Sequence, residues 1–138
     1  MFGLRAALAA AIALIAPAAP AAGATLHLQA PKEVERSEKF RVLANGGAKP
    51  HREYRVSVIY HDGDQGRCAR TVEKEVTRNQ HSKVIDARKI VTDAEGRFEL
   101  RSPKMVGGDR QTTGKLCGYL TNDAGENRDR VVRRIAFT

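Results

Sequence analysis

Short segments in which apolar and polar residues alternate recur along the chain. The longest of them is EYRVSVIY, where Tyr54, Val56, Val58 and Tyr60 occupy every second position. Alternation with a period of two is typical of β-strands that bury one face. Turn-forming residues such as Asn45-Gly46-Gly47 and Asp93-Ala94-Glu95-Gly96 separate the alternating segments. The pattern therefore predicts strands joined by tight turns.

About seven such strands follow one another at intervals of roughly 10–15 residues, with no strong helical segment between them. This spacing predicts one all-β domain, an antiparallel β-sandwich over residues 25–138. Segment 68–78 fits either a strand or a short helix. The inward-facing positions predict a core made of these residues: Leu26, Leu28, Phe40, Val42, Val56, Val58, Phe98, Leu100, Leu116, Leu120, Ile135 and Phe137.

Residues 1–24 have the pattern of a signal peptide for export. Arg5 is followed by the apolar run Ala6–Ala16, by two prolines, and by the small residues Ala22 and Ala24 of a cleavage site. The apolar run is shorter than a membrane-spanning helix requires, and no second such run occurs near the C-terminus. We expect a mature protein that begins at Thr25, has no transmembrane anchor, and is secreted or lies in the periplasm or cell envelope.

Cys68 and Cys117 are the only cysteines. An oxidising compartment favours a disulfide between them. It would close a loop of 49 positions, which contributes about 4 kcal/mol to the free energy of unfolding in the chain-entropy model. A reactive or metal-binding thiol pair is the alternative, but the chain lacks a C-x-x-C spacing.

Basic residues outnumber acidic ones by eight over the whole chain. Removing residues 1–24, which contain Arg5 and no acidic residue, leaves 23 basic and 16 acidic groups. The basic residues concentrate locally at Arg128, Arg130, Arg133 and Arg134. These arginines are possible contacts for an anionic polymer of the cell envelope, and another extracytoplasmic protein is the alternative partner. We expect no nucleic acid, because the chain shows no aromatic platform or recognition helix.

The sequence predicts no catalytic residue, cofactor or metal site. The four histidines lack metal-ligand spacing, and no serine lies in a G-x-S-x-G motif. His61, which precedes Asp62 and Asp64, is interpreted as part of a hairpin tip at the surface, and a weak cation site is the alternative. We therefore expect a protein that is not an enzyme.

Two stretches resemble secreted bacterial domains of the Ig-like or transthyretin-like β-sandwich type. They are Val91–Phe98 (VTDAEGRF) and Gly114–Leu120 (GKLCGYL). The strand that carries Cys117 and Leu120, followed by Asp123-Ala124-Gly125, is also similar to the sandwich apoproteins that carry enediyne antibiotics. The resemblance implies a β-sandwich fold.

These observations predict an exported, non-catalytic binding or structural module of the cell envelope. Its loops 45–52, 62–66, 106–114 and 122–130 would provide recognition. A carrier that holds a small apolar ligand between the sheets is the alternative, and a secreted hydrolase or an accessory domain of one is the third candidate. The sequence leaves the ligand, the oligomeric state and the strand order open.

Overall fold

Eight β-strands and one short helix make up the part of the protein that the computed structural model describes, residues 23–63, 66–78, 82–108 and 111–138. The elements, in chain order, are β1 (Thr25–Gln29), β2 (Glu33–Val34), β3 (Leu43–Gly47), β4 (Glu53–Asp62), α1 (Val72–Arg78), β5 (Ser82–Val91), β6 (Arg97–Arg101), β7 (Thr113–Asn122) and β8 (Asn127–Phe137). Most of the predicted signal peptide, including Ala22 of its cleavage site, lies outside the described residues. Ala24 directly precedes β1 and is partly buried against the core.

The strands form two sheets, as the alternation predicted. One sheet has the strand order β1-β3-β6 and the other has the order β2-β8-β7-β4-β5. All pairs are antiparallel except the short contact between β2 and β8, which is parallel. The prediction of an antiparallel β-sandwich is confirmed, with the parallel β2–β8 pair as the exception.

The core lies between the two sheets and contains all twelve residues that the alternation assigned to it. At one end of the core the rings of Phe40 and Tyr60 pack against Phe137, with centroid separations of 6.2 and 6.5 Å. At the centre Leu28 fills the space left by the missing side chain of Gly118, where a Cβ would lie 2.8 Å from a Leu28 methyl carbon. Apolar side chains thus fill the space between the sheets both at the Phe137 end and at the centre beside Gly118.

The Asp93–Gly96 segment is a turn, as predicted from its residue types. The Asp93 carboxylate accepts hydrogen bonds from the backbone N–H groups of Arg97 and Glu95, at 2.8 and 2.9 Å. These bonds, of which the one from Arg97 has the larger effect, hold the pKa of Asp93 below its usual value. Gly96 takes a φ of 80°, a conformation that glycine adopts without steric cost. Both residues direct the chain from β5 back into β6.

Arg88 links the two sheets where β5 and β6 lie on the same side of the sandwich. Its guanidinium donates to Asp86 Oδ2 at 2.7 Å and to the carbonyl oxygen of Arg101 in β6. The hydrogen bonds to Asp86 raise the pKa of Arg88, so the guanidinium stays charged. Within the described residues, no helix is both long enough and apolar enough to cross a membrane.

Two adjacent glycines in β3 differ in the space that a side chain would find, which gives a test of the sandwich. We expect Gly46→Ala to lower the free energy of unfolding by about 2 kcal/mol, because the new Cβ would overlap the carbonyl oxygen of Thr25 and lie 3.1 Å from the Phe98 ring. Gly47→Ala is the control, since its Cβ would meet Gly96 O at an ordinary 3.7 Å. Urea unfolding of both variants provides the measurement. Equal stabilities would contradict the register of β1 on β3.

Candidate functional site

The outer face of the larger sheet is covered by residues 66–78, which we call the cap. The predicted disulfide joins Cys68 of the cap to Cys117 of β7 and is confirmed. The segment that the sequence left open, 68–78, ends in helix α1. Val72 and Val76 are four residues apart on one face of this helix, and both pack on a small apolar cluster of Ile59, Cys117 and Tyr119. The cap is thus attached to the sheet both covalently and by packing.

Four polar side chains lie beneath the cap with no exposed surface. They are His61 of β4, Glu75 of α1, and Lys115 and Tyr119 of β7, each 0% exposed. His61 faces Lys115 across the β4–β7 pair, and both belong to the outward-facing row that includes Tyr119. We call this group the buried polar cluster. Burying ionisable groups is costly, so its internal contacts must offset the lost hydration.

Glu75 is at the centre of the buried polar cluster. One carboxylate oxygen, Oε2, contacts Nε2 of His61 and lies 3.8 Å from Nζ of Lys115. The other oxygen, Oε1, accepts a hydrogen bond of 2.5 Å from the backbone N–H of Ala69 and lies 3.5 Å from the hydroxyl of Tyr119. A single carboxylate therefore connects the cap with two strands of the sheet.

Lys115 and Tyr119 bind the backbone of the cap as well. Lys115 Nζ donates to the carbonyl oxygens of Gly66 and Arg67, at 3.3 Å each. Tyr119 donates its hydroxyl proton to the carbonyl oxygen of Ala69 at 2.7 Å. These bonds satisfy polar backbone groups of a short segment that could not pair them in a sheet.

The sequence interpretation of His61 as a hairpin tip at the surface is wrong. Strand β4 continues through Asp62, and the cap then returns over it, so that His61 is completely buried. Glu75 and Lys115 were also missed. One signal could have located them: Lys115, Cys117 and Tyr119 alternate along β7, and a disulfide at Cys117 requires that some other segment cover that face.

His61, Glu75 and Cys117 also form a group whose possible metal-ligand atoms all lie within 4.8 Å of one another. Cys117 has no thiolate to offer while it is bonded to Cys68. The cluster is closed to solvent, so a substrate has no access to its acid and base groups in the folded, oxidised protein. The contacts of the buried polar cluster attach the cap to the sheet.

The four arginines predicted as anion contacts all lie on β8 and are exposed. Arg130 and Arg134 face outward opposite Tyr119 and Lys115 of β7, whereas Arg133 is opposite Leu116 on the inward-facing row. Arg134 also donates to the carbonyl oxygen of Gly66 in the cap, at 3.1 Å. The structure thus places the arginines on one strand but divides them between its two faces.

Asp129, which separates Arg128 from Arg130 in the sequence, turns away from them. Its carboxylate accepts a hydrogen bond of 2.8 Å from the backbone N–H of Leu26 in β1. Strand β2 pairs with β8 only at Ala136 and Phe137, so in the described part of the protein the rest of that edge has no neighbouring strand. We call the exposed arginines at this edge, Arg128, Arg130, Arg133 and Arg134, the β8 arginine edge.

A double-mutant cycle tests the role of Glu75. We expect Glu75→Gln to lower the free energy of unfolding by about 3–5 kcal/mol, because it leaves the Lys115 ammonium buried without its anionic partner. Combining it with Lys115→Met should recover part of this loss, since both charges are then removed.

The matched control is Glu73→Gln, which makes the same change at an exposed position of the same helix and should cost less than about 0.5 kcal/mol. Thermal and urea unfolding would measure five proteins: the unmodified protein, the single variants Glu75→Gln, Lys115→Met and Glu73→Gln, and the double variant at 75 and 115. Equal costs at positions 73 and 75, or strictly additive costs at 75 and 115, would show that the buried charge pair does not hold the cap.

No protein-family model matches the chain, and no curated protein matches it either.

Proposed function

We propose that this protein is an exported, non-catalytic binding module of the cell envelope that recognises an anionic polymer through the β8 arginine edge. The single observation that carries the proposal is the concentration of exposed guanidinium groups at 128, 130, 133 and 134 of one strand. We further propose that the protein is related to the secreted domains of the Ig-like or transthyretin-like β-sandwich type.

The arrangement of charge at this edge supports an anionic ligand. Asp129 is engaged by the Leu26 amide, so it is directed away from the surface on which Arg128 and Arg130 are exposed. The guanidinium group binds phosphate, sulfate or carboxylate oxygens in a bidentate way. An extended polymer with repeated negative charges can follow cations that are spaced along the open edge of an extended strand.

The rigidity of β8 also supports binding at this edge. Residues of β8 pair with β7 along most of its length, and the disulfide at Cys117 anchors β7 to the cap. Cations on a fixed backbone lose less conformational entropy on binding than cations on a mobile loop. The hydrogen bond from Arg134 to Gly66 further orders that side chain.

Packing between the sheets favours a ligand at the surface over one in the interior. The rings of Phe40 and Tyr60 each pack against Phe137 at one end, and Leu28 fills the space beside Gly118. The carrier of a small apolar ligand, predicted as the alternative, would have to displace such side chains.

Export is the second component of the proposal, and the Cys68–Cys117 disulfide is consistent with it, because disulfides persist in oxidising compartments. We expect the protein recovered from outside the cytoplasm to begin at Thr25, after cleavage at Ala22-Gly23-Ala24. Intact-mass measurement of the protein from each cell fraction tests this. An uncleaved chain found only in the cytoplasm would exclude an envelope function.

Binding is tested by co-sedimentation of the protein with envelope fragments of the producing cell, from about 50 to about 500 mM salt. Because salt shortens the range of charge interactions, we expect binding that is strong at the low end and fades at the high end. The triple variant Arg128→Gln, Arg130→Gln, Arg133→Gln should weaken binding at least about tenfold, which three contacts of about 0.5 kcal/mol each supply. It retains Arg134, which contacts the cap.

The matched control removes the same charge elsewhere, by Lys39→Gln, Arg41→Gln and Lys104→Gln, all at exposed positions. It should bind nearly as tightly as the unmodified protein. Equal weakening in both triple variants would mean that net charge alone is sensed, and no binding at any salt concentration would reject the proposal.

A further inference from the structure

We propose that reduction of the Cys68–Cys117 disulfide converts the buried polar cluster into a binding site for zinc or a similar divalent transition metal. The four ligands would be the two thiolates, a ring nitrogen of His61 and a carboxylate oxygen of Glu75. This site lies beneath the cap and shares no residue with the β8 arginine edge, so the two proposals stand or fail separately.

The ligand atoms are already close together in the oxidised protein. Those of His61, Glu75 and Cys117 lie within 4.8 Å of one another, and Cys68 is bonded to Cys117. Two sulfurs, one nitrogen and one oxygen form a set that zinc accepts in a tetrahedral arrangement. Zinc bonds of about 2.0–2.3 Å would hold such atoms roughly 3.3–3.8 Å apart. Shifts of about 1 Å bring the group of His61, Glu75 and Cys117 to that geometry, and Cys68, which lies outside this group, would approach it by movement of the released cap.

The redox step that creates the site is a two-electron reduction. A phosphine reductant breaks the S–S bond and is oxidised to its phosphine oxide, taking the oxygen atom from water. The two electrons and two protons remain on Cys68 and Cys117 as thiols. A dithiol would give the same product and become a disulfide itself. Binding of the divalent metal then releases the two thiol protons, because the thiolate is the ligand.

The charges in the cluster fit a divalent metal. In the oxidised protein the carboxylate of Glu75 lies 3.8 Å from the ammonium of Lys115, and the two charges balance. Two new thiolates add two negative charges, and the metal adds two positive ones. The buried group is therefore neutral both before reduction and after metal binding, which a low-dielectric site favours.

The surroundings of Glu75 also suit a metal ligand. Its Oε1 accepts the Ala69 N–H and lies near the Tyr119 hydroxyl, so its Oε2 is directed toward His61. Partners of this kind orient metal-ligating carboxylates and strengthen binding. Loss of the disulfide removes the covalent tether of the cap, which gives the metal a way in.

Cobalt(II) provides the first test, since thiolate-ligated tetrahedral cobalt absorbs visible light. The protein, without a histidine tag, is reduced by the phosphine under anaerobic conditions and titrated with Co²⁺. We expect one equivalent to bind, with a sulfur-to-cobalt charge-transfer band, and zinc to displace it. The oxidised protein should show neither the visible absorption of tetrahedral cobalt nor the charge-transfer band. Absence of these bands in the reduced protein, or identical spectra in the oxidised one, would overturn the proposal.

Two substitutions test the non-sulfur ligands. His61→Gln and Glu75→Gln should each weaken metal binding at least about tenfold, since even the loss of an outer partner of a ligand has that effect. The controls are His27→Gln and Glu73→Gln, both at exposed positions, which should leave affinity unchanged. Undiminished affinity in His61→Gln and Glu75→Gln would place the metal on the cysteines alone and refute the site.

X-ray absorption of the reduced, zinc-loaded protein needs no variant and so remains decisive if a variant fails to fold. We expect two sulfur neighbours at about 2.3 Å and two nitrogen or oxygen neighbours at about 2.0 Å, with the outer scattering of one imidazole. A shell of nitrogen and oxygen atoms only, or a shell without imidazole, would contradict the assignment.

Discussion

The carboxylate of Glu75 connects the cap to the sheet at a point where water is excluded from both. It contacts His61, lies 3.8 Å from Lys115 and accepts the Ala69 N–H. A lysine buried on a central strand needs such a partner, because its backbone contacts with the cap compensate only part of the lost hydration. The position of α1 and the coverage of β7 depend on this charge together with the disulfide and the packing of Val72 and Val76.

Alternation along the strands predicted the core because the space between the sheets admits apolar side chains almost exclusively. The outer face followed no such rule, since its burial depends on the cap, a contact between segments far apart in sequence. His61 was assigned to a turn because Asp62 and Gly63 follow it, yet β4 extends through Asp62. Glu75 gave no signal at all, because a seven-residue helix has too few positions for a clear amphipathic pattern.

The excess of basic residues is visible in the composition, but the face on which each arginine lies is determined by the register of β8 on β7. Pairing with β7 places Arg130 and Arg134 outward and Arg133 on the inward row, while the adjacent Asp129 bonds to β1. Charged residues at an open strand edge also oppose pairing with other chains, which protects a β-sandwich from aggregation. The same arginines can therefore oppose aggregation and carry out the proposed ligand binding without conflict.

The disulfide spans two segments that the chain presents at very different times. Cys68 leaves the ribosome well before Cys117, and β7 lies between β4 and β8 in the sheet. Neither the sheet nor the cap can close until the C-terminal strands have been made, and contacts between distant segments form slowly. Between the synthesis of Cys68 and that of Cys117, 49 positions later, the unfinished chain consequently carries a free thiol and an uncovered strand face, a period in which binding by a chaperone would matter most.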